Sequence, residues 1–380
     1  MSGPHIFILI DALGWELVSA RGFLRDFLPS QQPVRSLLGF SSGIIPSILT
    51  GLTPAESGMW NLVYYDPHRS PFRWMKLVAP LASIFDNRIG RRLLTEAGRR
   101  VLRIGSNFDV SVPPATLPWF HWVEGRNIYA RQGVAGHKSI FDLLHEKQIA
   151  HRIYSYKDGR NDQQILADAE RDVAGGAEEF YFLYLCELDM FLHTHRKEPE
   201  RIGQKLAWYE EQLRRLFTAA RERRREGEFH IFSDHGMTPV ERHCDLTAAV
   251  NECGLRMPQD YLVVDDSTMA RFWYFNDRAR TQIREALARL DYARLLSEAE
   301  LRELGVYFVD QRYGEDILLL SPGCIIAESG FNGSGWRPAG MHGYHPDDPY
   351  STAVYLSSKP PASPLRSVCD IFSCMTEALG

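Results

Sequence analysis

The chain has 380 residues, 43 Lys+Arg against 48 Asp+Glu, and 44% hydrophobic residues, the make-up of a soluble globular protein with one large core or two modest ones. A net charge of -5 excludes a general binder of nucleic-acid polymers, which needs a basic face to replace phosphate counterions.

The first apolar run, HIFILI at 5–10, is far too short to span a bilayer and stops at Asp11. No Lys or Arg precedes it and no small-residue cleavage site follows, so it reads as a buried strand rather than a signal peptide. Similar strand-like runs follow at 151–156, 180–186, 229–233, 316–320 and 352–356. Helical patterns lie between and after them, at 139–147, 161–174, 200–226 and 364–379. Strands that are apolar on both faces and alternate with helices predict an α/β fold, a three-layer α/β/α sandwich around a mostly parallel sheet. Two stretches interrupt the alternation. Residues 71–135 gather Arg91, Arg92, Arg99, Arg100 and Arg103 with Phe72, Trp74, Trp119, Phe120 and Trp122; residues 256–315 include a mixed run through Phe272, Trp273, Tyr274 and Phe275. Both read as insertions in a single domain spanning 1–380. The first serves either as a lip over a site or as an aromatic pin onto the core; the second reads as a buried strand. The basic run at 221–226 reads as a solvated helix end. Six cysteines, at 186, 244, 253, 324, 369 and 374, show no CxxC pair and no dense framework, which fits reduced thiols in a cytoplasmic protein.

Parallel sheets place ligand sites beyond the carboxyl ends of their strands. Three acids stand there. Asp11 follows the first strand, Asp189 comes shortly after FYFLYLC, and Asp234 follows FHIFS. Asp189 and His193 form D-x-x-x-H, Asp234 and His235 are adjacent, and His342 sits in the Gly-flanked loop GMHGYHP. Carboxylate with imidazole suits zinc, and this many ligand-type residues at one edge predicts two metals. His195 is either a proton donor or a solvent-facing residue. The segment 39–61 adds Ser41 and Ser42 just ahead of a short helical turn, IPSILTG. These hydroxyls are either helix caps or, beside metal, a nucleophile at a helix N-terminus that favours anions.

FILIDALG, the Ser41 segment with TGLTP, CELDMFLH, FSDHGM and GMHGY resemble, in that order, motifs of the alkaline phosphatase superfamily. The likeness is to its nucleotide pyrophosphatase/phosphodiesterase branch and covers about 1–66, 136–255 and 325–360. The resemblance implies one zinc held by Asp11, Asp234 and His235, and another by Asp189, His193 and His342, with Mn2+ or another divalent ion as the alternative. It implies that Ser41 is the nucleophile, with Ser42 as the alternative, and that Asn61 helps hold a phosphate oxygen. The family's His-Gly after Thr-Gly-Leu-x-Pro is Ser57-Gly58 here, and Asn61 stands one position nearer that Gly. The sulfatase signature Cys-x-Pro-Ser-Arg is absent. The expected activity is hydrolysis of a small-molecule phosphodiester or phosphoanhydride through a phospho-serine intermediate. A phosphomonoesterase on the same dizinc scaffold is the first rival, followed by a phosphotransferase or mutase and by a non-catalytic binder.

Overall fold

The structure, a computed structural model, describes residues 3–78, 83–102, 104, 110, 112–123, 127–156, 159–176, 178–223, 227–327 and 336–380. Arg103 and residues 224–226 of the basic run lie outside the described residues. The chain divides into two compact units. One comprises Met1–Ser57, Ile128–Pro239 and Pro338–Gly380; the other comprises Gly58–Asn127 and Val240–Arg337. Most of 71–135 and all of 256–315 fall in the second unit, while 128–135 belong to the first.

The first unit is built on six strands: β1 (His5–Ile10), β2 (Ser30–Val34), β3 (His151–Tyr154), β4 (Phe180–Leu185), β5 (Glu228–Phe232) and β6 (Ala353–Ser357). Their order across the sheet is β2-β6-β5-β1-β4-β3. The neighbours β5, β1, β4 and β3 run parallel, and β6 is antiparallel to both β5 and β2. Its longer helices are α1 (Trp15–Arg21), α2 (Ser41–Thr50), α3 (Ile140–Glu146), α4 (Asp162–Gly175), α5 (Glu187–His195), α6 (Pro199–Arg223) and α7 (Ile371–Glu377), with a single helical turn at Pro54–Ser57.

The two-residue period of β1 sorts these helices into layers. Ile6, Ile8 and Ile10 enter one cluster with Val18 of α1, Ile165 and Ala169 of α4, Leu188 and Leu192 of α5, and Leu206 and Leu213 of α6. Phe7 and Leu9 enter the other with Ile44 and Ile48 of α2, Phe141 of α3, and Ile371 and Met375 of α7. A strand buried on both faces cannot alternate apolar with polar, which explains why HIFILI is a continuous run. Each fully buried Ile or Leu contributes about 1.5–3 kcal/mol relative to an exposed one. The result is the predicted α/β/α sandwich.

Two strand assignments change. SQQPV at 30–34 forms edge strand β2, which its Gln and Pro residues conceal; Pro is tolerated at a sheet edge because a ladder N–H is dispensable there. DILLL at 316–320 is a strand, but it belongs to the second unit. That unit holds a four-stranded antiparallel sheet in the order Tyr261–Asp265, Met269–Tyr274, Asp316–Leu320, Ala293–Leu295. Phe120 and Trp122 are buried in its core with Phe72, Leu262 and Trp273, so these aromatics pin the first inserted segment to this sheet. Phe272, Trp273 and Tyr274 are buried in a strand as expected, while Phe275, just past its end, is exposed.

Within the second unit Arg271 is completely buried and forks onto Asp266, with a further bond of 2.8 Å to the Val63 carbonyl. The adjacent Asp265 has a buried oxygen, Oδ1, with no hydrogen-bond partner. Burial, and then the charge of Asp266, push its carboxyl up to about 7 from an ordinary 3.8. A carboxyl held neutral in the folded state contributes stability that is full below pH 3.8 and is lost as pH rises to 7. Asp265→Asn is therefore expected to flatten the pH dependence of stability over that window. The slope removed is about 1.4 kcal/mol per pH unit while the group titrates, read from thermal melts between pH 4 and pH 8.

Candidate dimetal site

Every acid and histidine singled out at the strand ends lies in the first unit. Asp11 directly follows β1, its N–H bonded to the Leu185 carbonyl at the end of β4. Asp234 lies two residues beyond β5, Asp189 and His193 sit on successive turns of α5, and His342 follows the short strand Gly340–Met341. That strand pairs antiparallel with Thr238–Pro239, which brings the loop carrying His342 beside the one carrying His235. Glycines permit these approaches. A Cβ on Gly236 would sit 2.2 Å from the Tyr350 carbonyl, and one on Gly340 would sit 2.7 Å from Arg196 Cβ.

The side chains form two overlapping clusters. In one, ligand atoms of Asp11, Asp234 and His235 all lie within 4.8 Å of each other; in the other, Asp189, His235 and His342 do. His193 joins the second cluster, with its Nε2 3.4 Å from Asp189 Oδ2. His342 Nε2 is 3.5 Å from Asp189 Oδ1, and His235 Nε2 is 3.2 Å from Asp234 Oδ2 and 3.5 Å from Asp11 Oδ1. The His235 and His342 rings stack with centroids 3.8 Å apart.

Backbone carbonyls aim the imidazoles. His193 Nδ1 is 2.9 Å from the Gly340 carbonyl, and His235 Nδ1 is 2.9 Å from that of Gly236. A carbonyl accepts only, so Nδ1 carries the proton and donates it, as is usual for metal-ligating histidines. In the neutral rings Nε2 then presents a lone pair toward carboxylate oxygens, a repulsive arrangement unless a proton or a cation lies between. Protons cannot resolve every contact. Burial, followed by the nearby His235, pushes His342 well below the ordinary imidazole range. Burial, and then Asp234 and Asp189, push Asp11 well above the carboxylate range. For Asp189 burial acts upward too, but His193 and then His342 and His235 outweigh it and hold the carboxyl low. Asp11 Oδ1, Asp189 Oδ1, Asp234 Oδ2 and His342 Nδ1 are buried without hydrogen-bond partners. Orphaned carboxylate oxygens in a dry cluster with imidazole nitrogens fit divalent cations.

Ser41 is the first residue of α2. The cap position is Phe40, which makes no side-chain cap bond, and Ser41 Oγ lies 3.0 Å from His235 Nε2. Ser42 is the next residue of the same helical turn and, like Ser41, is partly buried. Asn61 belongs to the second unit, where it is buried; its Nδ2 is 3.5 Å from Asp266 Oδ2 and its Oδ1 lacks a partner. His195 hydrogen-bonds Glu198 at 2.6 Å and contacts Arg201, so its ring is engaged by neighbouring side chains near the surface.

Two supporting residues escaped the sequence reading. Tyr184 of β4 donates its hydroxyl to Asp11 Oδ2; the tyrosine lay inside an apolar run and gave no polar signal. Asp162, at the start of α4 and completely buried, accepts from the backbone N–H groups of Cys186 at 3.0 Å and Glu187 at 3.1 Å and from the Tyr209 hydroxyl. It thereby satisfies N–H groups at the head of α5, the helix that carries Asp189 and His193. An Asp one residue after a cap-forming Asn161 looked like an ordinary helix start.

Such a constellation on an α/β/α sandwich defines a metal-dependent phosphoryl-transfer hydrolase. Residues 44–344 match the family model described as type I phosphodiesterase / nucleotide pyrophosphatase, and the chain belongs to that family. It is a phosphodiester hydrolase. A search of the curated proteins gave no match. Among solved structures, murine ectonucleotide pyrophosphatase / phosphodiesterase 5 is similar, with TM-score 0.69 and 14% identity over 99% of this chain and 95% of that one. An inactive variant of the murine protein in complex with AMP gives TM-score 0.69 and 14% identity over 100% and 95%. The human counterpart gives 0.70 and 14% over 99% and 94%. No helix among the described residues is long and apolar enough to cross a membrane.

Removing the Asp162 carboxylate should loosen α5 and shift the Asp189 and His193 side chains that it carries. Asp162→Ala is expected to weaken metal binding by about 10–100-fold, the usual effect of losing a group that orients ligands. Asp162→Asn, which keeps one acceptor, should cost less. Metal titration of the two variants checks the order.

Proposed function

We propose that this chain hydrolyses a small-molecule phosphodiester or phosphoanhydride with Ser41 as nucleophile and two divalent metals, zinc first among them. Asp11, Asp234 and His235 would hold one ion and Asp189, His193 and His342 the other, with His235 at the border of both. The observation that carries the reading is the position of Ser41 Oγ, 3.0 Å from His235 Nε2 beside carboxylate oxygens that have no protein partner. The AMP bound to the inactive murine relative favours a nucleotide among small-molecule substrates. Cytoplasmic residence is proposed on the cysteine pattern alone.

When bound, the metals supply the positive charge that ionises a serine hydroxyl and steadies the attacking and leaving oxygens of an in-line displacement. The protein's own groups do the rest. Ser41 Oγ forms the new O–P bond while the bond to the leaving oxygen breaks, giving a phospho-serine. Water then attacks that phosphorus and releases Ser41, so two inversions retain configuration. Ser41 and Ser42 sit in the first turn of α2, where the helix dipole favours an anionic phosphoryl group and no acidic side chain opposes it. The backbone carbonyls of Gly340 and Gly236 hold the His193 and His235 rings in place throughout.

The test compares metal-loaded protein on bis-p-nitrophenyl phosphate and p-nitrophenyl phosphate. The diester should turn over faster, and Ser41→Ala should lower the rate on the order of 10³-fold or more while retaining metal. Asp234→Asn should lose metal and activity together. Preference for the monoester would make the protein a phosphatase, and full activity in Ser41→Ala would transfer the nucleophile to Ser42.

A further inference from the structure

We propose that His5, Glu228 and His230 form a separate metal site at the amino ends of β1 and β5, the opposite end of the strands from the dimetal cluster. The parallel register pairs His5 with Glu228 and Phe7 with His230, so all three side chains stand on one face of the sheet. One ligand atom from each lies within 4.8 Å of the others. From His5 to Asp11 along β1 is about 20 Å at the usual rise of a strand, too far for the same ion.

Two features indicate a ligand rather than a chance meeting of polar groups. His230 is 7% exposed, and its Nε2 is buried without a hydrogen-bond partner, as is Nδ1 of His5. A buried imidazole nitrogen left bare is costly and calls for an explanation. The second feature is how the surroundings fix His230. Its ring stacks on Phe7, with centroids 4.1 Å apart and planes 4° from parallel, and its Nδ1 is 2.7 Å from the Tyr355 hydroxyl. Tyr355 also bonds the Cys374 thiol, so its oxygen can accept the His230 Nδ1 proton while its own proton goes to sulfur. That tautomer leaves the lone pair on Nε2, the form a metal requires.

Glu228 is oriented as well. Lys359 holds Oε1, which leaves Oε2 3.9 Å from His5 Nδ1. Two imidazoles and one carboxylate make a borderline donor set suited to Zn2+ and poor for Ca2+ or Mg2+, which prefer oxygen. The side chains of His5 and Glu228 are 18% and 24% exposed, so water can complete the coordination. An ion there would clip the first strand of the chain to β5 and stabilise the sheet without taking part in catalysis.

The experiment measures zinc per chain by mass spectrometry after dialysis against buffered Zn2+, for the wild type, His5→Ala and Glu228→Gln. Both variants are expected to carry one equivalent less, to lose the part of the zinc-induced rise in thermal midpoint that this site supplies, and to keep wild-type diesterase activity. Glu228→Gln preserves size and polarity, so a folding defect confined to His5→Ala would not obscure the result. The reading is a difference between proteins, so it holds however many ions the catalytic cluster takes. In an Asp234→Asn background, which lowers the catalytic count, His5→Ala should still remove one further equivalent. Equal zinc content in the wild type and both variants would overturn the proposal.

Discussion

Three carboxylates brought close together where water cannot screen them set the terms for the rest of this structure. Asp11 and Asp234 are 4% and 0% exposed, and Asp189 lies within reach of His235, which Asp11 and Asp234 also border. Like charges in a dry site repel strongly, and removing each from water costs several kcal/mol. Two of them are driven in opposite directions: Asp11 toward the neutral acid by burial and its acidic neighbours, Asp189 toward the carboxylate by the imidazoles around it. The Tyr184 hydroxyl, which donates to Asp11 Oδ2, relieves part of this strain. The oxygens still lacking partners are those a cation would fill. A site so expensive to assemble survives only because the sheet beneath it is stable in its own right.

That sheet explains the precision of the arrangement. Asp11 and Asp234 follow the ends of the adjacent parallel strands β1 and β5, so their spacing is inherited from the strand spacing, while Asp189 is placed by α5, which begins just after β4. The histidines need finer control and get it from fixed backbone carbonyls at Gly340 and Gly236. Behind α5, Asp162 links the helix start to α4 and, through Tyr209, to α6. Strand ends thus place Asp11 and Asp234, the anchored helix α5 places Asp189, and hydrogen bonds to the main chain orient His193 and His235.

Much of this was legible in the residues, for identifiable reasons. Strands buried on both faces announce themselves as unbroken apolar runs, and the acid that ends such a run marks the carboxyl edge. The same logic could not find β2, whose Gln31, Gln32 and Pro33 suit an exposed edge, and it could not tell that DILLL joins an antiparallel sheet in another unit, since full burial erases the pattern in either setting. Ser41 was ambiguous with a helix cap until Phe40 proved to occupy the cap position. Tyr184 and Asp162 were out of reach because their roles depend on contacts across 173 residues in one case and 25 in the other. Asn61 was placed by family likeness; what its own surroundings show is a buried carboxamide beside Asp266, itself locked by Arg271.

The shared histidine has a consequence for how the site works as a unit. His235 belongs to both candidate clusters, stacks on His342 and lies 3.0 Å from the Ser41 hydroxyl. A ring with one proton and one lone pair cannot change its alignment toward one cluster without changing what it offers the other. The carbonyl of Gly236 removes the remaining freedom by holding Nδ1, and Gly236 can hold it only because the absence of a Cβ lets its backbone lie against Tyr350. The geometry around the Ser41 hydroxyl and the geometry of the two clusters are therefore one property, fixed at the dipeptide His235–Gly236. Substitution at Gly236 should therefore displace the His235 ring although Gly236 has no side chain, read as weakened binding in a metal titration.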